Sequence, residues 1–206
     1  MNEAFETLPQ EKQMRIINAA MEVFACNEYK RASTDDIAAK AGISKGLLFY
    51  YFHNKEALYL YVYEYCRRVT TEQILDTHYY ELDDYFDILE YSACKKAKMI
   101  SENPWLMDFS VRAFYSEQDK IKQSNNNAIN NIMIYFQNIN RDKFREGVDI
   151  NELTRMFLWM TDGYMNEKRR LGLPIKQEEI MTDFRKWMDM FRRITYKEEY
   201  LPENHD

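Results

Sequence analysis

Apolar residues recur every three to four positions along most of the chain, a pattern that predicts an all-α protein. Ile16, Ile17, Ala20 and Phe24 stripe one segment, and Ile37, Ala38 and Ala41 give a second, narrower face. The spacing returns at Leu58, Val62, Tyr65, Cys66 and Val69. It is widest near the end, at Leu153, Phe157, Met160 and Tyr164 and at Ile180, Phe184, Trp187, Met188, Phe191 and Ile194. Between Gly46 and Pro104 there is neither glycine nor proline, which suits long helices. The pattern predicts helices over residues 9–26, 33–41, 44–51, 54–78, 84–102, 104–116, 118–139, 149–171 and 176–196. Two segments strain it. Tyr59, Tyr61, Tyr63 and Tyr65 alternate like a strand, although Asn54 is placed to start a helix through them. Residues 124–140 are rich in asparagine, a poor helix former, yet Ile129, Ile132, Met133 and Phe136 mark one face. A helix with a frayed start at Asn125 to Asn127 is expected there.

Local signals sharpen the reading between Ser33 and Lys55. Ser33 and Asp36 have capping-box spacing, so a helix starts there. Gly42 supplies the positive φ that ends it, and Ser44 caps the next, which carries Lys45, Gly46, Leu48, Tyr50, Tyr51 and Phe52. Two short helices across a tight turn make a helix-turn-helix, and double-stranded DNA is the partner such a motif fits. Hydroxyls, ammonium groups and helix N-terminal amides grip phosphates, which singles out Thr34, Ser44, Lys45 and Lys55. Tyr50 and Tyr51 carry hydroxyls on stiff stems. Lys45 and Leu47 are the candidates for base edges, through a guanine acceptor and a thymine methyl.

The array from Arg15 to Leu58 resembles the N-terminal domain of the tetracycline-repressor (TetR) family of bacterial regulators. The matching elements are INAAMEVF, Ser33-Thr34, IAAKAGISKG, the Phe49 to Phe52 cluster and NKEAL, in that order. Family members usually have Gly where this chain has Glu28; Asn27 is able to take a left-handed conformation there. The resemblance implies a three-helix DNA-binding domain, 1–53, followed by a larger helical ligand-binding and dimerisation domain, 54–206, with the helix from 54 to 78 joining them. It also implies that Gly46 lets the recognition helix approach the groove closely and that Tyr50 and Tyr51 contact the DNA backbone.

Charge modifies this picture without overturning it. The 206 residues carry a net charge of −6, but residues 40–55 hold Lys40, Lys45, Lys55 and His53 and no acid. A basic patch on an acidic body fits a defined DNA footprint rather than general polyanion affinity. Cys26, Cys66 and Cys94 lie far apart, indicating neither zinc nor a disulfide framework, and no cofactor is called for. With no signal-like start and no run of 18 apolar residues, no membrane is expected and the setting is cytoplasmic.

The terminal stripes are wider than one intramolecular face needs, and the family pairs such helices with a second copy. Leu153, Phe157, Met160, Tyr164, Phe184, Trp187, Met188 and Phe191 are therefore expected at a homodimer interface. A dimer would read a palindromic operator. Trp105, Phe109, Arg112 and Tyr115 on one short helix, with Met133, Tyr135, Trp159 and Asp162 from others, are candidates for a pocket taking a small apolar or aromatic effector. Asp108, four residues before Arg112, could instead pair with it as a surface ion pair. No E-x-x-H, H-E-x-x-H or G-x-S-x-G occurs, which argues against an enzyme. The expected function is a dimeric repressor released from its operator by effector. The alternative is a DNA-binding or protein-interaction module without one.

Overall fold

In a computed structural model, which describes residues 3–115, 119–123, 132–173 and 176–201, the described elements are helical. They are α1 Glu3–Glu6, α2 Gln10–Cys26, α3 Thr34–Ala41, α4 Lys45–Phe52, α5 Lys55–Ile74, α6 Thr77–Glu81, α7 Tyr85–Glu102 and α8 Pro104–Phe114. After α9 (119–123) come α10 Ile150–Arg170 and α11 Gln177–Thr195. Short 3-10 turns occupy Ile132–Phe136, Arg141–Lys143 and Glu198–Tyr200.

By packing, the chain forms two compact units, one from residues 1–73 and 99–130 and the other from 74–98 and 131–206. In the first, α2 buries Ile16, Ile17, Ala20 and Phe24 against α3 and α8. Phe24 meets Tyr59 edge-on at 4.7 Å and Phe109 at 6.0 Å. The predicted first-turn proline is there: Asn103 caps α8 ahead of Pro104, its side chain accepting from the Leu106 N–H. The tyrosine alternation of α5 has a packing cause. Leu58, Tyr59, Val62 and Cys66 form its buried face, while Tyr61 and Tyr65 turn towards α1 and α2, where Tyr61 meets Phe5 and the Tyr65 hydroxyl reaches Met14. A helix with partners on two sides needs large residues at positions that a half-buried helix would leave polar. Burial also pushes the Cys66 thiol up to about 12, so it packs as a hydrophobe against Met21.

Three sequence expectations need correction. The helix predicted over 54–78 stops at Ile74 because the Asp76 carboxylate caps a separate turn, α6, through the Tyr79 N–H. The helix predicted over 118–139 is not continuous in the described part: α9 covers 119–123 and Ile132–Phe136 is a 3-10 turn. Asn140 then caps another turn, as asparagine's competition with helical hydrogen bonding favours. Asn125 to Asn127 and Ile129 lie outside the described residues. Asn27 is extended (φ −129°) rather than left-handed, its side chain donating back to Val23 O. One-turn α1, which periodicity cannot reveal, buries Phe5 completely.

In the second unit, Tyr85 and Phe86 of α7 sit at the centre of an aromatic core with Phe136, Phe144, Phe157 and Tyr196. An isolated antiparallel bridge, Phe144 to Tyr196, ties the end of α11 to the loop before α10. Arg145 N–H donates to Thr195 O and Lys197 N–H to Lys143 O. Buried Asp84 accepts from the Phe86 N–H at 2.9 Å, Lys143 Nζ at 3.1 Å and Arg192 at 3.2 Å.

Candidate nucleic-acid interface

The motif is built by its own sequence. The Ser33 hydroxyl accepts from the Asp36 N–H and opens α3. Gly42, at φ 65°, closes it by donating to Ala38 O and Ala39 O, and the Ile43 N–H also donates to Ala38 O. Only a residue tolerant of the left-handed region makes so abrupt a reversal. The Ser44 hydroxyl then accepts from the Leu47 N–H and opens α4. Helical period sorts α4 into two faces. Leu48, Tyr51 and Phe52 go inward, whereas Lys45, Gly46, Leu47 and Tyr50 stay exposed. Tyr50 is 56 % exposed although its ring is large and apolar. His53 ends α4 with φ 62°, the single positive-φ residue other than glycine among those described, and the Asn54 N–H closes a three-residue turn onto Phe52 O.

Most residues singled out from sequence fall on this outward face or its edges. Thr34, half-buried, is the first residue of α3, and Ser44, Lys45, Gly46, Leu47 and Tyr50 lie together along α4. Two do not belong with them. Tyr51 is 7 % exposed, its ring 5.7 Å from that of Phe5, so it is a core residue and leaves the contact set. Lys55 is committed internally: its ammonium donates to Tyr29 O, Ala32 O and Lys30 O at 2.8, 3.1 and 3.3 Å and lies over the Tyr29 ring. Three donors meet three loop carbonyls that lack helical partners, which fastens the loop before α3.

The basic stretch is also less bare than its sequence. Glu22 Oε1 stands 2.9 Å from Lys40 Nζ and pushes the lysine pKa up, and Asp35 Oδ2 stands 2.8 Å from Lys45 Nζ. Asp35 lies outside the acid-free window of residues 40–55; its sole sequence signal is its place beside Thr34 in the first turn of α3.

The effector candidates are not brought together within either unit. Trp105, Phe109, Arg112 and Tyr115 fall in the first, and Met133, Tyr135, Trp159 and Asp162 in the second. Phe109 is fully buried core against Phe24 and Tyr59. Arg112 Nε donates to Ala25 O at 2.8 Å, binding the negative end of α2 rather than Asp108. Tyr115, Tyr135 and Trp159 are exposed, Trp105 and Asp162 half-buried, and the Met133 side chain lies outside the described residues.

The interface stripe splits the same way. Leu153, Phe157, Phe184 and Met188 are 3–8 % exposed and serve the chain's own core. Met160, Tyr164, Trp187 and Phe191 are half-buried at the seam, where Tyr164 meets Trp187 and Phe157 meets Phe191. The apolar residues left outside are Met156 (42 %), Trp159 (61 %), Met190 (64 %) and Ile194 (63 %). Met190 is not among the stripe residues expected at the interface, although it stands four residues before Ile194.

Residues 16–62 match the family model described as bacterial regulatory proteins, tetR family. The chain is 29 % identical over 147 residues to a fatty acid metabolism regulator protein of Bacillus subtilis (strain 168), covering 69 % of this chain and 71 % of that one. Among solved structures it is similar to SmeT, the repressor of a multidrug efflux pump of Stenotrophomonas maltophilia. That match has TM-score 0.71 at 18 % identity and covers 98 % of each chain. It is similar too to the regulator FadR of Bacillus subtilis solved with stearoyl-CoA, with TM-score 0.63 at 20 % identity, covering 85 % of this chain and 96 % of that one.

Proposed function

Because the chain belongs to the TetR family of bacterial regulators, a family of DNA-binding proteins rather than enzymes, we propose that it is a homodimeric repressor acting in the cytoplasm. It reads a palindromic operator and leaves it when a long-chain acyl effector binds. The observation that carries the DNA-binding part is the outward face of α4. A capped helix that spends Leu48, Tyr51 and Phe52 on its own core presents Lys45, Gly46, Leu47 and Tyr50 to solvent, with Thr34 and Ser44 at the adjoining helix starts. That set supplies hydroxyls and an ammonium for phosphates, a methyl-rich contact and a lysine for base edges, and a gap for close approach. The domain division implied by the family, 1–53 for DNA and 54–206 for effector and pairing, is a division of labour. The packing units cut the chain elsewhere because α5 shares the core of the N-terminal helices.

The acyl effector is supported by the match to the fatty acid metabolism regulator, which at 147 residues runs well beyond the helix-turn-helix. The assay is fluorescence anisotropy of the purified protein on DNA from upstream of its own gene, against a shuffled duplex, across a salt series. Preferential binding with log K falling steeply against log salt is expected. Added stearoyl-CoA should release the native duplex where coenzyme A alone does not. Equal binding to both duplexes would refute the repressor, and release by neither stearoyl-CoA nor stearate would refute the acyl effector.

Pairing is supported by Met156, Trp159, Met190 and Ile194, which stand outside a core already complete without them. Two short recognition helices on one rigid dimer multiply an affinity that one alone leaves weak. Trp159→Glu combined with Ile194→Glu should raise the dimer dissociation constant by about tenfold or more, since a buried tryptophan anchor contributes about 2 kcal/mol or more. Sedimentation equilibrium reads this, and unchanged helical circular dichroism would show that the monomer still folds.

A further inference from the structure

The ion pair between Asp35 and Lys45 bears on how the motif reads DNA, a role that rests on the DNA-binding reading above. Lys45 and Asp35 are both on the solvent side, with side chains 49 % and 65 % exposed, and they join the two helices of the motif at 2.8 Å. As a stabilising contact such an exposed pair contributes little. As part of a DNA-facing surface it has a consequence. A carboxylate there repels phosphate, and while it holds Lys45 the recognition helix has no free ammonium at its N-terminus to offer a polyanion. Its tolerance needs a donor on the partner.

The major-groove edge of one base pair supplies it. A G·C pair presents the guanine N7 and O6 acceptors beside the cytosine N4 amino donor. A lysine and an aspartate held side by side are the complement of that edge, ammonium to guanine and carboxylate to cytosine. On an A·T pair the adenine amino group stands between the two acceptors, so an ammonium seeking both meets a donor instead. We infer that Asp35 is a specificity-determining residue: with Lys45 it reads a single G·C pair in each half-site, and elsewhere it shields the lysine from non-specific DNA.

The test is selection of duplexes from a random library by the intact wild-type protein and by Asp35→Asn, Asp35→Glu and Lys45→Ala. Anisotropy on the selected and shuffled duplexes follows. The wild type should select one invariant G·C pair per half-site. Asp35→Asn should relax that pair by about tenfold. It should also bind the shuffled duplex more tightly, with a salt slope steeper by about one per subunit. Asp35→Glu, which keeps the carboxylate, should retain the preference, and Lys45→Ala should relax the same pair. Identical selected sequences for wild type and Asp35→Asn would overturn the inference, as would relaxation by Lys45→Ala and Asp35→Asn at different pairs. A wild type that selects no sequence at all would overturn both the inference and the DNA-binding reading beneath it.

Discussion

Gly46→Ala should fold at least as well as the wild type and lose most of its affinity for the operator. Nothing inside the molecule requires glycine at this position. Its φ is not in the positive region, and a Cβ built there would meet only the Ser44 hydroxyl, at 3.9 Å. On helix propensity alone alanine stabilises by about 0.5–1 kcal/mol in a helix interior, and less in a first turn such as this one. The methyl would instead intrude on whatever closes against the outward face of α4. Overpacking a close contact costs about 1–3 kcal/mol. Two half-sites double that, so the operator Kd should rise by about thirtyfold or more. Thermal unfolding and anisotropy read the two effects separately. Unchanged DNA affinity with a raised Tm would show that α4 does not lie close in the groove. A loss of folding would contradict the open space around Gly46.

Asp84→Ala should destabilise the second unit by about 3–5 kcal/mol, the cost of removing one partner from a buried ion pair. Asp84 caps α7 through the Phe86 and Asp87 amides and also holds Lys143 and Arg192, so one carboxylate fixes the start of one helix, the loop before the bridge and the end of α11. Burial alone would push this carboxyl up. The hydrogen bond from Lys143, the Arg192 charge and the Asp87 amide outweigh burial and hold it below the usual carboxylate range. A folded-state pKa below the unfolded one, about 3.9, means that its stabilisation is fully present above that pH. It is lost as pH falls from about 4 through the folded value. Urea unfolding followed by tryptophan emission, with Trp159 and Trp187 in this unit, should show a wild-type advantage at pH 7 that shrinks on acidification. Asp84→Asn, which keeps a capping acceptor, should lose less. Equal stabilities of wild type and Asp84→Ala at pH 7 would show that Lys143 and Arg192 are satisfied by Asp83 and Asp87 alone.

What was legible from sequence is local. Ser33, Gly42, Ser44, Asn54 and Asn103 mark helix ends by hydrogen bonds within a few residues, and the structure shows those ends within one residue of expectation. On α4, side-chain chemistry and the family resemblance marked Lys45, Gly46, Leu47 and Tyr50, which the structure leaves exposed, and also Tyr51, which went to the core because Phe5, from a one-turn helix without periodicity, packs on it. The stripes of α10 and α11 were legible as apolar but not as inward or outward. A wide stripe has an inner edge that the chain buries and an outer edge that it does not, and the order of residues does not say where the boundary runs.

The sequence by itself therefore determined that the chain is helical, where most helices begin, and that a capped helix-turn-helix lies near its start. These depend on propensity, capping and period, which act over three or four residues. The tertiary structure alone decided the fate of the charges. Lys55 is spent on carbonyls 23 to 26 residues away, Lys45 is held by Asp35, Arg112 is fastened to the end of α2, and Asp84 gathers cations from 59 and 108 residues along the chain. A charged side chain reaches several ångströms and takes whichever partner folding brings near, so its role is fixed by contacts that no local pattern encodes.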